Sequence, residues 1–204
     1  VSAKLGDEEP EAVRQQAGDC KEEMMGVIIR EAKPEDVDGI IGYMKALSDE
    51  PGLYIGFEPG EFNPTVEGEI SWIEDHAKAA NSIILLAVAT ESAQEKWDLE
   101  DGETVGLMNC WGGTRRANKH ETTLGITVKA GWRGKGIGTR LMQQAIEWAK
   151  GSGVVKRVQL EVVAENVEAR ELYERLGFVA EGLRKKAFWK QERWMDSVVM
   201  GLLL

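Results

Sequence analysis

The chain is poor in the residues that staple or metallate small folds: its 204 residues include two cysteines, Cys20 and Cys110, and two histidines, His76 and His120. Two isolated cysteines make neither a disulfide framework nor a metal site, and they read as free thiols in a reducing compartment. Cys110 has no histidine or cationic cluster beside it in sequence to activate a thiolate, so a covalent cysteine mechanism lacks support. Also missing is any apolar run of the roughly 18 residues needed to span a bilayer, and the first 25 residues are acidic and polar, unlike a secretory or Arg-rich targeting segment. These absences predict a cytoplasmic protein with no metal and no membrane partner. Positive charge is scarce too, with 25 Lys and Arg against 35 Asp and Glu and a formal net charge of −10. Repulsion from phosphates then argues against nucleic acid or anionic lipid as a partner. A cationic acceptor fits such a surface, although the same excess of acid serves solubility alone.

The length suits one domain with an extension, large enough to bury roughly 70% of its unfolded surface. Residues 1–24 mix charge with few large apolar groups and form an acidic N-terminal extension, leaving 25–204 as the domain. A β-rich run at Val27–Ala32 precedes Pro34, which suits the first turn of a helix with apolar positions Val37, Ile40, Ile41, Met44 and Leu47. Ile70, Ile73, Ala77 and Ala80 mark a second helix, and Ser48–Pro64 between the two is rich in Gly, Pro and aromatic residues. The continuous apolar run Ile83–Ala89 predicts a strand buried on both faces. Thr90–Glu103 reads as a hairpin connection, followed by strands at Val105–Trp111 and Glu121–Val128.

That last strand runs into Arg133-Gly134-Lys135-Gly136-Ile137-Gly138-Thr139 and then into a helix with Ile137, Leu141, Ala145, Ile146 and Ala149 on one face. Glycines at a strand-to-helix junction let the backbone approach a ligand, and the unpaired N–H groups of the new helix attract an anion. Two nucleotide motifs fail on spacing. A Walker loop needs Lys and then Ser or Thr after its second glycine, and a dinucleotide fingerprint needs a third Gly or Ala where Thr139 stands. A second patterned segment follows: Leu160-Glu161-Val162, then Asn166, Ala169, Leu172-Tyr173 and Leu176-Gly177-Phe178. Asn166 is a good cap for a helix over 167–175, with Gly177 as its stop.

Together, Arg-x-x-Gly-x-Gly and the Asn-capped helix ending in Tyr-x-x-Leu-Gly-Phe resemble the GNAT N-acetyltransferase superfamily. The likeness is greatest to the branch with ribosomal-protein N-terminal alanine acetyltransferases and small-molecule amine acetyltransferases. Glu181-Gly182 with Arg184, and Trp194-Met195-Asp196 with Met200, add to it. The resemblance covers about 26–204 and is strongest from 120 onward. It implies an α+β fold in three layers: a mixed, mostly antiparallel sheet of about seven strands, splayed at the cofactor site and flanked by about four helices. It also implies acetyl-CoA as co-substrate, held by Ile126, Val128, Arg133, Gly134, Lys135, Gly136, Ile137, Gly138, Thr139, Asn166 and Ala169, with Glu161 and Tyr173 as catalytic residues.

Acetyl transfer to an amine needs a neutral nucleophile, since an alkyl ammonium titrates near 10.4 and an α-amino group at about 7.7–8.0. The resemblance makes Glu161 the base, directly or through water, although strand parity also allows an ordinary solvated residue beside Arg157 and Gln159. A tyrosine, protonated at neutral pH, suits Tyr173 to the departing thiolate; a core-facing side chain is the alternative. For the acceptor, Asp49, Glu50, Glu58 and Glu61 among Tyr54, Phe57 and Phe62 suit an ammonium on an apolar stem. The basic residues Arg184, Lys185, Lys186, Lys190 and Arg193 leave room for an amine that carries a carboxylate, or simply solvate a sheet edge. The acceptor is expected to be an amino acid, a peptide N-terminus or a small amine. A homodimer is left open, and so is a non-catalytic acyl-CoA-binding module.

Overall fold

The computed structural model describes residues 26–50, 57–90, 102–190 and 192–204. The N-terminal extension with Cys20, the acceptor-loop residue Tyr54 and most of the 90–103 connection lie outside them.

Among the described residues, seven strands form one sheet: β1 (Val27–Glu31), β2 (Ile83–Ala89), β3 (Thr104–Gly112), β4 (Glu121–Val128), β5 (Arg157–Val163), β6 (Val179–Lys190) and β7 (Arg193–Leu203). Their spatial order is β1-β2-β3-β4-β5-β7-β6, and every neighbouring pair is antiparallel except β4 and β5. Four helices flank the sheet: α1 (Val37–Ser48), α2 (Val66–Lys78), α3 (Ile137–Gly151) and α4 (Val167–Arg175).

The all-apolar β2 explains the three layers. Side chains alternate across a strand, so Ile83, Leu85 and Ala87 join one core with Leu141, Met142 and Ala145 of α3 and Tyr173 of α4. Ile84, Leu86 and Val88 join a second core with Ile40, Tyr43 and Leu47 of α1 and Ile73 of α2. A strand with one polar face could not hold helices on both sides.

The helices depart in detail from the periodic pattern. α1 buries Tyr43, while Ile41 and Met44 are half-buried at the edge of its core. α2 ends at Lys78, so Ala80 falls outside it, and the buried partner of Ile73 is His76, whose Nδ1 lies 2.8 Å from the Trp72 carbonyl oxygen. The Thr65 hydroxyl caps α2 by accepting from the Gly68 amide at 3.1 Å. Among the described residues no helix is long and apolar enough to cross a membrane.

Candidate active site

The site begins where the sheet comes apart. β4 and β5 pair in parallel from Glu121 with Arg157 to Leu124 with Leu160, and no further. Beyond that point Gly125–Val128 stay bonded to β3, and Glu161–Val163 to β7. The facing edges of the two strands thus lose their ladder, and unpaired backbone groups become available to a ligand. A cleft of about 540 Å³ fills the opening; Gly125, Ile126 and Thr127 line one side, and Glu161, Val162 and Val163 the other.

The glycine turn lies at the end of β4. Gly134 and Gly136 have φ of +72° and +82°, a left-handed backbone that a side chain at Cβ disfavours. Gly136 is the N-cap of α3 and offers no side chain to its first amides. Among the described residues, no side chain accepts a hydrogen bond from the amides of Gly136, Ile137, Gly138 or Thr139. Gly138 is helical instead. A Cβ there would sit 3.8 Å from Leu172 Cδ2 and 3.9 Å from Ile126 Cδ1, an ordinary distance. Neither backbone conformation nor packing therefore demands glycine at 138. Ile126 borders both Gly138 and the cleft, so the turn lies next to the cleft. This cradle fits a diphosphate: amides at a helix start, a positive dipole end and Arg133 nearby.

Arg133 and Val128 are tied to each other. Arg133 Nε donates to the Val128 carbonyl at 2.9 Å, and its Nη2 pairs with Glu50. Glu50, expected on the acceptor side, also accepts from the Ala130 amide at 3.1 Å, so it lies at the phosphate loop. A guanidinium has five N–H donors, and a diphosphate can share Arg133 or take it from Glu50. Lys135 lies over the Trp132 ring at 4.9 Å, while the Ile137 side chain is in the core and leaves only its backbone to a ligand.

Asn166 caps α4, accepting from the Ala169 amide at 3.2 Å, and it also lines the cleft. Ala169 packs against the core. One turn after Ala169, Tyr173 reaches the cleft while buried among core residues. Burial pushes its phenol up to about 12, so the hydroxyl keeps its proton throughout the neutral range. The Cys110 thiol is pushed up to about 12 for the same reason and is no nucleophile at neutral pH.

Glu161 lies on the exposed face of β5, opposite buried Val158, Leu160 and Val162, as strand parity predicts. It is nonetheless not simply solvated: Arg184 Nη1 donates to its Oε2 at 2.5 Å, and the buried Ser197 hydroxyl donates to its Oε1. Sequence reasoning missed Ser197 and the pairing of Arg184. The placement of Arg184 depends on the β6–β7 register, which shifts twice, between Ala180 and Gly182 and between Arg184 and Phe188, and that of Ser197 on the β5–β7 pairing.

The outer cleft is aromatic and charged. Phe57, Trp111, Phe188 and Trp189 line it with Glu58, Glu61 and Lys190, whose Nζ donates to the Phe57 carbonyl at 2.9 Å. Asn109 and Trp111 of β3 carried no functional signal in the sequence, because a strand pattern does not reveal which side chains meet a gap two strands away.

The profile of the acetyltransferase (GNAT) family matches residues 71–178, just over half of the chain. An L-amino acid N-acetyltransferase of Escherichia coli K12 is 30% identical over 49% of this chain and 62% of its own length. The chain thus spans less than two thirds of that relative. The L-methionine sulfoximine/L-methionine sulfone acetyltransferase of Pseudomonas aeruginosa is 27% identical over 88% of this chain and 96% of its own. An acetyltransferase structure from Streptococcus pneumoniae superposes with a TM-score of 0.78 at 28% identity, covering 87% of this chain and 99% of that one.

Proposed function

Since the chain belongs to the GNAT acetyltransferase family, we propose that it transfers an acetyl group from acetyl-CoA to a primary amine by direct attack. The observation that carries this reading is the adjacency, through Ile126, of the glycine turn to the gap between β4 and β5 where Tyr173 and Glu161 lie. The acceptor class is an amino acid, a peptide N-terminus or a small amine.

In this reading the amides of Gly134–Thr139, with Arg133, hold the diphosphate. The open edge of β4 at Ile126 and Val128 and the start of α4 at Asn166 and Ala169 orient the arm. When bound, acetyl-CoA supplies a thioester carbonyl whose C–S bond breaks as the C–N bond to the amine forms. Glu161 receives the ammonium proton at a carboxylate oxygen, directly or through water, and passes it to solvent. Tyr173 holds its proton toward the departing sulfur. A phenol near 12 is a weaker acid than a thiol titrating at about 8.5, so Tyr173 serves first as a hydrogen-bond donor to the sulfur. The nitrogen sheds a second proton as the C–N bond forms and the sulfur takes one up, by way of the Tyr173 hydroxyl, so CoA leaves as the thiol and one net proton is released for each amide formed. Cys110, buried and with its thiol raised, takes no part.

Release of CoA thiol across a panel of amino acids, polyamines, aminoglycosides and Ala- or Ser-starting peptides tests the reading, with a mass gain of one acetyl group on the acceptor. Tight acetyl-CoA binding with no acceptor-dependent thiol would instead make the protein an acyl-CoA-binding module.

A further inference from the structure

Three adjacent strands place one polar group each on a single face. Glu161 of β5 pairs with Val199 of β7, so Ser197, two residues along β7, lies diagonal to it on the same face. Arg184 of β6 pairs directly with Ser197. The carboxylate of Glu161 is thereby held at both oxygens by two different kinds of donor. Ser197 is fully buried and cannot leave. Arg184, whose side chain is 58% exposed, is tied to Glu161 by a single nitrogen at 2.5 Å.

The other hairpin cations are engaged elsewhere. Lys185 pairs with Asp196 at 2.7 Å, Arg193 with Glu165 at 2.7 Å, and Lys186 lies over the Trp194 ring. Lys190 lines the cleft with its Nζ on the Phe57 carbonyl at 2.9 Å, and Arg184 is tied to a carboxylate that lines the cleft.

That arrangement sets a problem for the chemistry. Both oxygens of Glu161 already accept a hydrogen bond, one of them from a guanidinium, so an approaching ammonium meets a like charge at the carboxylate. Something must draw Arg184 away, and another carboxylate would do so by like-for-like exchange; a partly exposed ion pair is weak enough to permit it.

We propose that Arg184 is the receptor for a carboxylate on the acceptor. An amine with a neighbouring carboxylate, such as an α-amino acid, takes Arg184 from Glu161, and Glu161, still held by Ser197, is left to receive the proton of the adjacent ammonium. The substrate's two charges thus complete a four-member alternation with those of Arg184 and Glu161. Amines that lack a carboxylate leave the ion pair closed. The base role of Glu161 within this inference rests on the transferase reading above, but the carboxylate site does not.

The test is calorimetry on the full chain loaded with CoA, titrated with a series of apolar L-amino acids and the matching L-amino acid amides. The unmodified protein is expected to bind the acids about tenfold or more tightly than the amides, as for a charge-assisted pair. Arg184→Met should abolish that preference, and Arg184→Lys should restore part of it. Equal affinity for acid and amide in the unmodified protein, binding of neither, or a preference that persists in Arg184→Met would overturn the proposal. Turnover separates this inference from the transferase reading: an acid preference dependent on Arg184 without acetyl transfer would retain the carboxylate site and remove the enzyme.

Discussion

Leu124 of β4 and Leu160 of β5 are the last residues the two parallel strands share, and both are buried at the point of separation. Every residue assigned a catalytic role stands on the open side of this pair. Glu161 follows Leu160 directly, and Tyr173 enters the same gap from α4. A continuous ladder would fill the gap with backbone bonds; the separation turns those donors and acceptors toward a ligand.

The proposed role of Tyr173 makes its phenol matter for turnover and not for affinity. Tyr173→Phe is expected to lower kcat by about 10²-fold or more, the usual scale for a lost proton donor, while the acetyl-CoA Kd changes less than about threefold. Since burial pushes the hydroxyl up to about 12, its neutral form persists below that pH. The unmodified enzyme should show no loss of activity from tyrosine ionisation below about pH 11. Steady-state rates from pH 6 to 10.5, with calorimetry, check both statements.

Glu161→Gln retains the shape of the side chain and removes the proton acceptor. The rise of rate with pH is expected to shift to more alkaline values, with the remaining activity following the fraction of neutral amine in solution. A profile identical to that of the parent would remove Glu161 as base. Acetyl-CoA affinity is the control and should not move.

Two glycines of the turn separate fold from binding. Gly136→Ala places a Cβ on a backbone at φ +82°, so it should cost about 1–2 kcal/mol of stability as well as affinity for acetyl-CoA. Gly138→Ala meets its nearest neighbour at 3.8 Å and should leave the melting temperature nearly unchanged. Its acetyl-CoA affinity should nevertheless fall, because the methyl group, set beside Ile126, Val128 and Leu172, would crowd the cofactor arm proposed to run along the open edge of β4. Thermal melts beside calorimetry distinguish the two.

Acid stability has an identifiable source at the entrance to α1. Arg30 binds both oxygens of Asp36, at 2.6 and 2.7 Å, and the Lys33 amide donates to the same carboxylate at 2.7 Å. The Arg30 bonds, ahead of the Lys33 amide, hold the Asp36 carboxyl below its usual range. A depressed carboxyl stabilises the fold above its unfolded value of about 3.9, and the contribution is lost as pH falls through the folded value. Asp36→Asn should therefore lower stability by about 1 kcal/mol at pH 7, after allowance for solvent screening, with a difference that shrinks below about pH 4. Urea melts of both proteins across that range check it.

What the sequence revealed, and what it hid, follows from the range of the interactions involved. The strand Glu121–Val128, the turn that follows and the Asn166 cap are local, encoded by alternation, glycine and a capping amide within a few residues, and each is where the pattern predicts it. Asn109 and Trp111 entered the site unannounced, because only the assembled order β3-β4-β5 brings them to the gap. Arg184 was hidden by register, since the extra residues between Arg184 and Phe188, where Lys186 has φ of +51°, offset any simple count along the hairpin, and Ser197 meets Glu161 only through the pairing of β5 with β7. Glu50 seemed to belong to the acceptor loop by composition, but its carboxylate lies on Arg133, 83 residues away in sequence.

The central claim, that the turn from Gly134 to Thr139 grips a diphosphate, is tested most directly by calorimetric comparison of acetyl-CoA with S-acetylpantetheine, which carries the same thioester and arm without the nucleotide diphosphate. Acetyl-CoA is predicted to bind at least about 100-fold more tightly, as several charge-assisted bonds require. Equal affinities, or no heat with acetyl-CoA, would contradict it.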